Sequence, residues 1–217
     1  MIDYSMLFDS LLATLIMVFV SAAVAIFFGL PIALGLTVTA KNRFLENKVL
    51  HRILSFIVTL GRSIPFVILM IALIPLTRFI VGTSIGTTAS IVPLAIAAIP
   101  YFARLMEGKL HSVSKGIIEA ALSMGLSPIQ IIFRVLLKES FPGFLNATTI
   151  LFVSLTEYSA MAGALGGSGL GNMAIQYGYY QFNNAVLFQA IAALILIVLF
   201  FQFTGDFLTK KISRGHK

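Results

Sequence analysis

Residues 11–38 carry no charge at all. A bilayer core of roughly 30 Å is crossed by about 20 apolar residues in a helix, so this run is long enough to span, and a water-soluble domain would have to hide all of it. Four more apolar runs follow, over residues 53–76 (interrupted by Arg62 and Pro65), 87–103, 144–165 and 185–203. Hydrophobic residues make up 59% of the 217-residue chain and charged residues 11%, with a mean hydropathy of +1.00, well outside the range of a soluble globular domain. The fold class this predicts is an all-α integral membrane protein with five transmembrane helices, built as one domain over residues 1–217.

The net charge of +7 is explained by where the cations fall. Asp3 and Asp9 precede the first run with no basic residue near them. Lys41, Arg43, Lys48 and Arg52 follow that run, and only Arg78 follows the second. Arg104, Lys109, Lys115, Arg134 and Lys138 lie between the third and fourth runs, none lies between the fourth and fifth, and Lys210, Lys211, Arg214 and Lys217 close the chain. Lys and Arg concentrate in cytoplasmic loops, so the alternation puts the N-terminus outside and the C-terminus in the cytoplasm, with no call for nucleic acid. The acidic N-terminus and long first run do not fit a cleavable signal peptide, which opens on a basic region and a short apolar core; the run reads as a retained helix. Five spans enclose little of a pathway by themselves, which points to a dimer.

Several chemistries are excluded. Without cysteine there is no disulfide and no thiolate metal site. His51, His111 and His216 lack metal-ligand spacing and read as solvated or interfacial residues. There is no phosphate-binding G-x-x-x-x-G-K-[ST] loop, so ATP hydrolysis would belong to another subunit. Gly169-Leu170-Gly171-Asn172-Met173-Ala174 matches G-x-G-x-x-A by letter, but it follows a membrane run instead of a strand. Asn146-Ala147-Thr148 fits a glycosylation sequon at the cytoplasmic entry of a span, where it has no use. No internal repeat marks a carrier built from inverted halves.

The informative segment is the connection at about 112–142, with GIIEAALSMGLSPIQIIFRVLLKESFP over residues 116–142. Gly125 supplies a helix stop, since glycine enters the left-handed region without a Cβ penalty. Ser127, Pro128 and Gln130 then form an N-cap, a first helical position and a capping box. A helix–turn–helix with small Ala120 and Ala121 beside Glu119 would make a compact cytoplasmic knob for a partner's groove; an amphipathic helix lying on the membrane surface fits the periodicity as well.

Glu119-Ala120-Ala121, Gly125 after three residues, and Val135 and Leu137 beyond it resemble the EAA loop of binding-protein-dependent ABC importer permeases. That pattern ordinarily ends Leu-Pro; here Lys138 follows Leu137 and the next proline is Pro142, which implies a longer second loop helix. The resemblance implies that Glu119, Ala120, Ala121, Ser123, Met124, Gly125 and Ser127 dock onto an ATP-hydrolysing subunit. Residues 61–66 (GRSIPF), 81–86 (VGTSIG) and 158–163 (YSAMAG) are similar to the methionine permease group of that family. Membership would imply a homodimer in the bacterial inner membrane, two ATP-binding subunits that hold ATP and magnesium, no cofactor on this chain, and a substrate-binding lipoprotein. The substrate would be methionine, with the D enantiomer open beside the L. The alternatives are a permease for another amino acid, an ion-coupled carrier, or a scaffold that only recruits cytoplasmic proteins.

Within the spans, Ser159, Gly163, Gly167 and Gly171 recur every four residues, a small-xxx-small stripe suited to tight helix packing or to a dimer axis. Tyr158, Ser159 and Met161 are candidates for a gate that two copies close together. Glu157 and Arg62 are ionisable groups at apparent membrane depth, where charge is costly unless paired or hydrated; Glu157 would face the path or a structural partner, and Arg62 could instead reach an interface. Pro31, Pro65, Pro75, Pro93 and Pro100 predict bends.

Overall fold

The structure, a computed structural model, describes residues 4–214, all of it helix and connections with no strand among the described residues; Asp3, His216 and Lys217 lie outside them. The first helix, α1 (Tyr4–Thr39), is 36 residues long, about 54 Å at a rise of 1.5 Å per residue. It is apolar all round because it faces two apolar surroundings. Met17, Val18, Ala22, Ala25, Ala33 and Leu36 point into the core, while Phe8, Leu12, Ile16, Phe27 and Phe28 lie exposed on the opposite side.

The second apolar run does not form one straight span. It folds as α2 (Lys48–Ser63), α3 (Phe66–Ala72) and α4 (Ile74–Val81), with a bend of 97° between α2 and α3. The cause is local. Pro65 disfavours the helical conformation of the residue before it, and Ile64 is extended, with φ −87° and ψ 123°. Pro75 then restarts the chain in the first turn of α4, where its missing N–H costs nothing.

Helix α5 (Thr87–His111) is the centre of the molecule, packed by α1, α2, α3, α4 and the later helix Phe141–Ala164. Leu94, Ala98, Phe102, Ala103, Met106 and Leu110 are buried along it. After α6 (Lys115–Ser123) and α7 (residues 128–139, with a π-helical stretch at Ile131–Leu136) come α8 (Phe141–Ala164), α9 (residues 170–179) and α10 (Asn184–Arg214). Helix α7 runs on through Lys138 to Glu139, and Pro142 falls in the first turn of α8, as the displaced proline implies.

By length and composition three helices can cross a membrane, over Ser5–Thr39, Thr87–His111 and Asn184–Ser213, and a fourth if bent α2–α3 is one span. At 24 residues α8 is long enough, but Asn146, Thr149, Ser154, Thr156, Glu157 and Ser159 dilute its apolar character. Four of its hydroxyls are bonded within the protein: Thr149 donates to Leu145 O (2.9 Å), Thr156 to Phe152 O (2.9 Å) and Ser159 to Thr156 O (2.7 Å), and Tyr101 OH pairs with Ser154 Oγ at 3.0 Å, while the buried Thr148 hydroxyl has no partner. That satisfaction lets so polar a helix sit in the core.

The small-residue stripe is not one helix face. Helix α8 stops at Ala164 and α9 turns back to pack on it. A Cβ on Gly163 would strike the backbone of Gly171 and Asn172, and one on Gly171 would strike the Ala160 carbonyl. Asn172 Nδ2 donates to Gly163 O (3.2 Å), and Leu170 N donates to Thr14 Oγ1 (2.9 Å), tying the returning segment to α1. Gly163→Ala is therefore expected to destabilise the fold by about 1–3 kcal/mol through overpacking. Gly108→Ala, whose Cβ would meet nothing within 4 Å, should leave the melting temperature of the purified protein unchanged or slightly raised.

Candidate coupling loop and transport face

Helix α6 ends in a Schellman motif. Leu126 N donates to Ala121 O (3.2 Å) and Gly125 N to Leu122 O (2.9 Å), with Gly125 in the left-handed region at φ 77°, the geometry that lets the last carbonyls find partners. Two residues later the capping box is complete. Gln130 N donates to Ser127 Oγ (3.4 Å), Ser127 N donates to Gln130 Oε1 (2.9 Å), and Pro128 stands in the first turn. Two helices are thus joined by a turn whose conformation is fixed from both sides.

The knob presents Glu119, Ala120, Ser123, Met124, Gly125 and Ser127 outward, with Met124 72% exposed. Ala121 points the other way, at 2% exposure, into a core shared with Ile118, Ile131 and Leu136. The two alanines beside Glu119 therefore act differently: Ala120 leaves room for something outside, and Ala121 lets α6 lie close to the body of the protein.

The knob is held to the body by that apolar core, and just before it, at the end of α5, lies a polar cluster that no motif flagged. Arg104 and Glu107 form an ion pair of 2.7 Å, with Glu107 nearly buried. His111 Nδ1 donates to Glu107 O (3.1 Å), and Arg43 Nη2, from the turn after α1, donates to His111 O (3.1 Å). A groove lined by Arg43, Phe44, Lys115, Ile118, Glu119 and Leu122 joins that turn to α6. The Arg104–Glu107 spacing of i, i+3 was a readable signal; the Arg43 contact, 68 residues distant in sequence, was not. His51 is likewise half-buried, its Nδ1 donating to Leu36 O (3.0 Å), whereas His111 is exposed. No group of three or more potential metal ligands occurs among the described residues.

A second surface is formed by α8 with the ends of α2 and α3. Glu157 and Met161, one turn apart on α8, are both exposed, Met161 by 46%. Tyr158 is half-buried and stacks on Phe66 of α3, with ring centroids 4.8 Å apart and planes 7° from parallel. Arg62, in the last turn of α2, is exposed and close enough to act electrostatically on Tyr158, as Tyr101 also does. Ser159 does not share this face; it is buried, with its hydroxyl turned to its own helix. If α2 and α8 cross the bilayer, an exposed carboxylate and guanidinium there call for a water-filled path or a second protein surface.

Apolar helices packed around α5, a hydroxyl-rich α8 against it and an exposed helix–turn–helix fixed by its caps make up the membrane subunit of a transporter. Residues 25–214 match the family described as binding-protein-dependent transport system inner membrane component, and the chain belongs to that family: it is an all-helical, multi-pass ABC importer permease, a transport subunit and not an enzyme. It is 48% identical over 200 residues to the probable D-methionine transport system permease protein MetI of Vibrio cholerae, covering 92% of this chain and 89% of that protein. To the methionine import system permease protein MetP of Bacillus subtilis it is 41% identical over 179 residues, covering 82% and 81%. The inward-facing MetNI methionine ABC transporter superposes with a TM-score of 0.96 at 42% identity, over 98% of this chain and 99% of that one. A further amino acid ABC transporter shares the fold with a TM-score of 0.72 at 22% identity, over 97% and 94%.

Removing either lock on the turn should loosen it locally. Ser127→Ala is expected to cost about 1 kcal/mol as a lost N-cap, and Gly125→Ala about 1–2 kcal/mol for a Cβ in the left-handed region. Faster amide hydrogen exchange at Leu126 and Gln130, with exchange in α5 unchanged, is the expected outcome.

Proposed function

We propose that this chain is the permease subunit of an ATP-driven methionine importer in the bacterial inner membrane. In this reading it works as a homodimer with two ATP-binding subunits, which hold the ATP and magnesium, and a substrate-binding lipoprotein that delivers methionine of one or both hands from outside. The observation that carries the reading is the knob itself: small, exposed, locked by a Schellman motif and a capping box, and packed on the core through Ile118 and Ala121. Permease relatives named for methionine or D-methionine transport support the substrate.

Five spans follow if bent α2–α3 and polar α8 are counted with α1, α5 and α10. The N-terminus is then outside and the C-terminus cytoplasmic. This orientation is supported by the placement of the basic turn after α1 directly against α6, so that two of the three Lys/Arg-rich segments meet on the knob's side. ATP-driven closure of the partner subunits moves the docked residues Glu119, Ala120, Ser123, Met124, Gly125 and Ser127, with Ala121 as their inner anchor. The body then rocks between inward-open and outward-open states as rigid elements. Glu157, Tyr158 and Met161 line the path or its gate, and Ser159 supports them from within α8.

Uptake of labelled methionine into cells lacking their own importers tests this, with the chain expressed beside its ATPase and binding protein. Uptake should require all three components and fall at least tenfold in Glu119→Arg, equivalent to about 1.4 kcal/mol or more of lost docking. Uptake by this chain alone would favour an ion-coupled carrier, and loss of partners without any flux in wild type would favour a scaffold. Met161→Ala should change either transport or the ATPase rate measured without substrate; if both stay as in wild type, Met161 is no part of the gate.

A further inference from the structure

Where α1 ends and α2 begins, a cavity of about 550 Å³ is lined on one side by a single stripe of α2: Lys48, His51, Arg52, Ser55, Phe56 and Thr59. These positions follow the i, i+3, i+4, i+7 rule for one helix face. The stripe is graded along its length: cationic in the first turn and a half, hydroxylic at Ser55, then aromatic at Phe56. Lys41, from the turn after α1, adds a third full cation at the charged end, and no carboxylate lines the cavity. Lys41, Lys48 and Arg52 are exposed and unpaired; among the described residues the one ion pair is Arg104–Glu107. His51 has its Nδ1 turned onto Leu36 O, which fixes its ring and leaves Nε2 free. Ile53, Phe56, Ile57 and Leu60 are exposed further along the same helix, so the cavity opens from a cationic mouth toward an apolar surface.

We infer that this cavity is a binding site for one anionic phospholipid of the leaflet on the coupling-loop side. The phosphodiester sits among Lys41, Lys48 and Arg52, the glycerol ester region meets Ser55 and Thr59, and an acyl chain lies along Phe56. Charge complementarity selects the occupant. Three cations with no acceptor repel the trimethylammonium of a zwitterionic choline lipid and favour a headgroup whose only charge is its phosphate, each basic residue contributing about 1 kcal/mol near such a surface. None of the lining residues comes from α6 or α7, so the site is separate from the docking knob. The cavity wedges the junction of α1 and α2, and a lipid there braces the α2 segment that carries Arg62. The inference rests on the knob's side being cytoplasmic and not on which solute is carried.

The test uses the whole transporter, permease with its ATPase, in nanodiscs of phosphatidylcholine mixed with phosphatidylglycerol, and reads the lipids that stay bound by native mass spectrometry. Wild type should retain phosphatidylglycerol in preference to phosphatidylcholine, and the double variant Lys48→Gln with Arg52→Gln should lose that preference by about thirtyfold. Lys210→Gln with Lys211→Gln, which removes the same charge from the end of α10, should keep it. Lys48→Arg with Arg52→Lys, which retains both cations, should keep it as well and guards against a fold that fails. Equal retention of the two lipids by wild type, or undiminished phosphatidylglycerol preference in the double glutamine variant, overturns the inference. So does release of the ATPase from that variant with its lipid unchanged, since the stripe would then be a protein contact. Methionine uptake by the wild-type transporter with its binding protein, reconstituted into closed proteoliposomes of the same lipid mixture, separates a failure of this site from a failure of the importer reading.

Discussion

The packing of α1 along α5 sets the rest of the molecule. Small residues bring the two helices together: a Cβ on Gly29 would stand 3.0 Å from Ile99 O and 3.0 Å from a Phe102 ring carbon, and Ala22, Ala25 and Ala33 on α1 share a core with Ala98 and Phe102 on α5. In lipid no hydrophobic force drives helices together, so close van der Waals contact between small residues carries the association. With that contact made, α5 is held along its length, and α6 follows it after only three residues. The knob proposed to couple to the ATPase therefore follows directly on the most extensively packed helix of the chain. The contacts among Arg43, His111, Glu107 and Arg104 fasten the same junction from the α1 side.

Rigidity at the knob and polarity at α8 are complementary. A helix carrying Asn146, Thr149, Ser154, Thr156, Glu157 and Ser159 is expensive in lipid, and the cost is offset by bonding nearly every hydroxyl back to a carbonyl or to Tyr101. Glu157, like Arg62 at the end of α2, is left without such a partner and stays exposed. In the proposed reading, push and path are joined through two connections, α5 packed directly against α8 and α7 leading into it, so that a displacement of the knob would reach the Glu157–Met161 face through packed helices and the short breaks at residues 112–114 and 140.

Features that depend on a few consecutive residues were legible in the sequence. Gly125 stops α6 with a positive φ, and Ser127, Pro128 and Gln130 make the capping box they spell, because capping is decided within one turn of backbone. Apolar runs marked α1, α5 and α10 for the same reason. The 97° bend was only half legible: Pro65 gives the break, but the direction the chain then takes is set by Phe66 stacking on Tyr158, a contact between residues far apart in sequence. The glycine stripe misled on its geometry, since letters at four-residue spacing do not reveal that the helix ends at Ala164 and that α9 turns back. Ser159 faces inward because it lies two residues from both Glu157 and Met161, about 200° round the helix from each. The Arg43 anchor was invisible, being a long-range hydrogen bond to a backbone carbonyl, which no residue pattern encodes.

Rigid transmission from knob to transport face is the central claim, and a chain without cysteine allows it to be measured by spin labels at chosen sites. Cysteines replacing Met124 in both copies would report the coupling ends, and cysteines replacing Leu165 would report the far end of α8, with the distances read by pulsed electron resonance in the assembled transporter. Trapping ATP should bring the Met124 labels closer while the Leu165 labels move apart in the same population. A Met124 distance that shortens with the Leu165 distance unchanged would contradict rigid transmission and place a flexible element between the knob and the path.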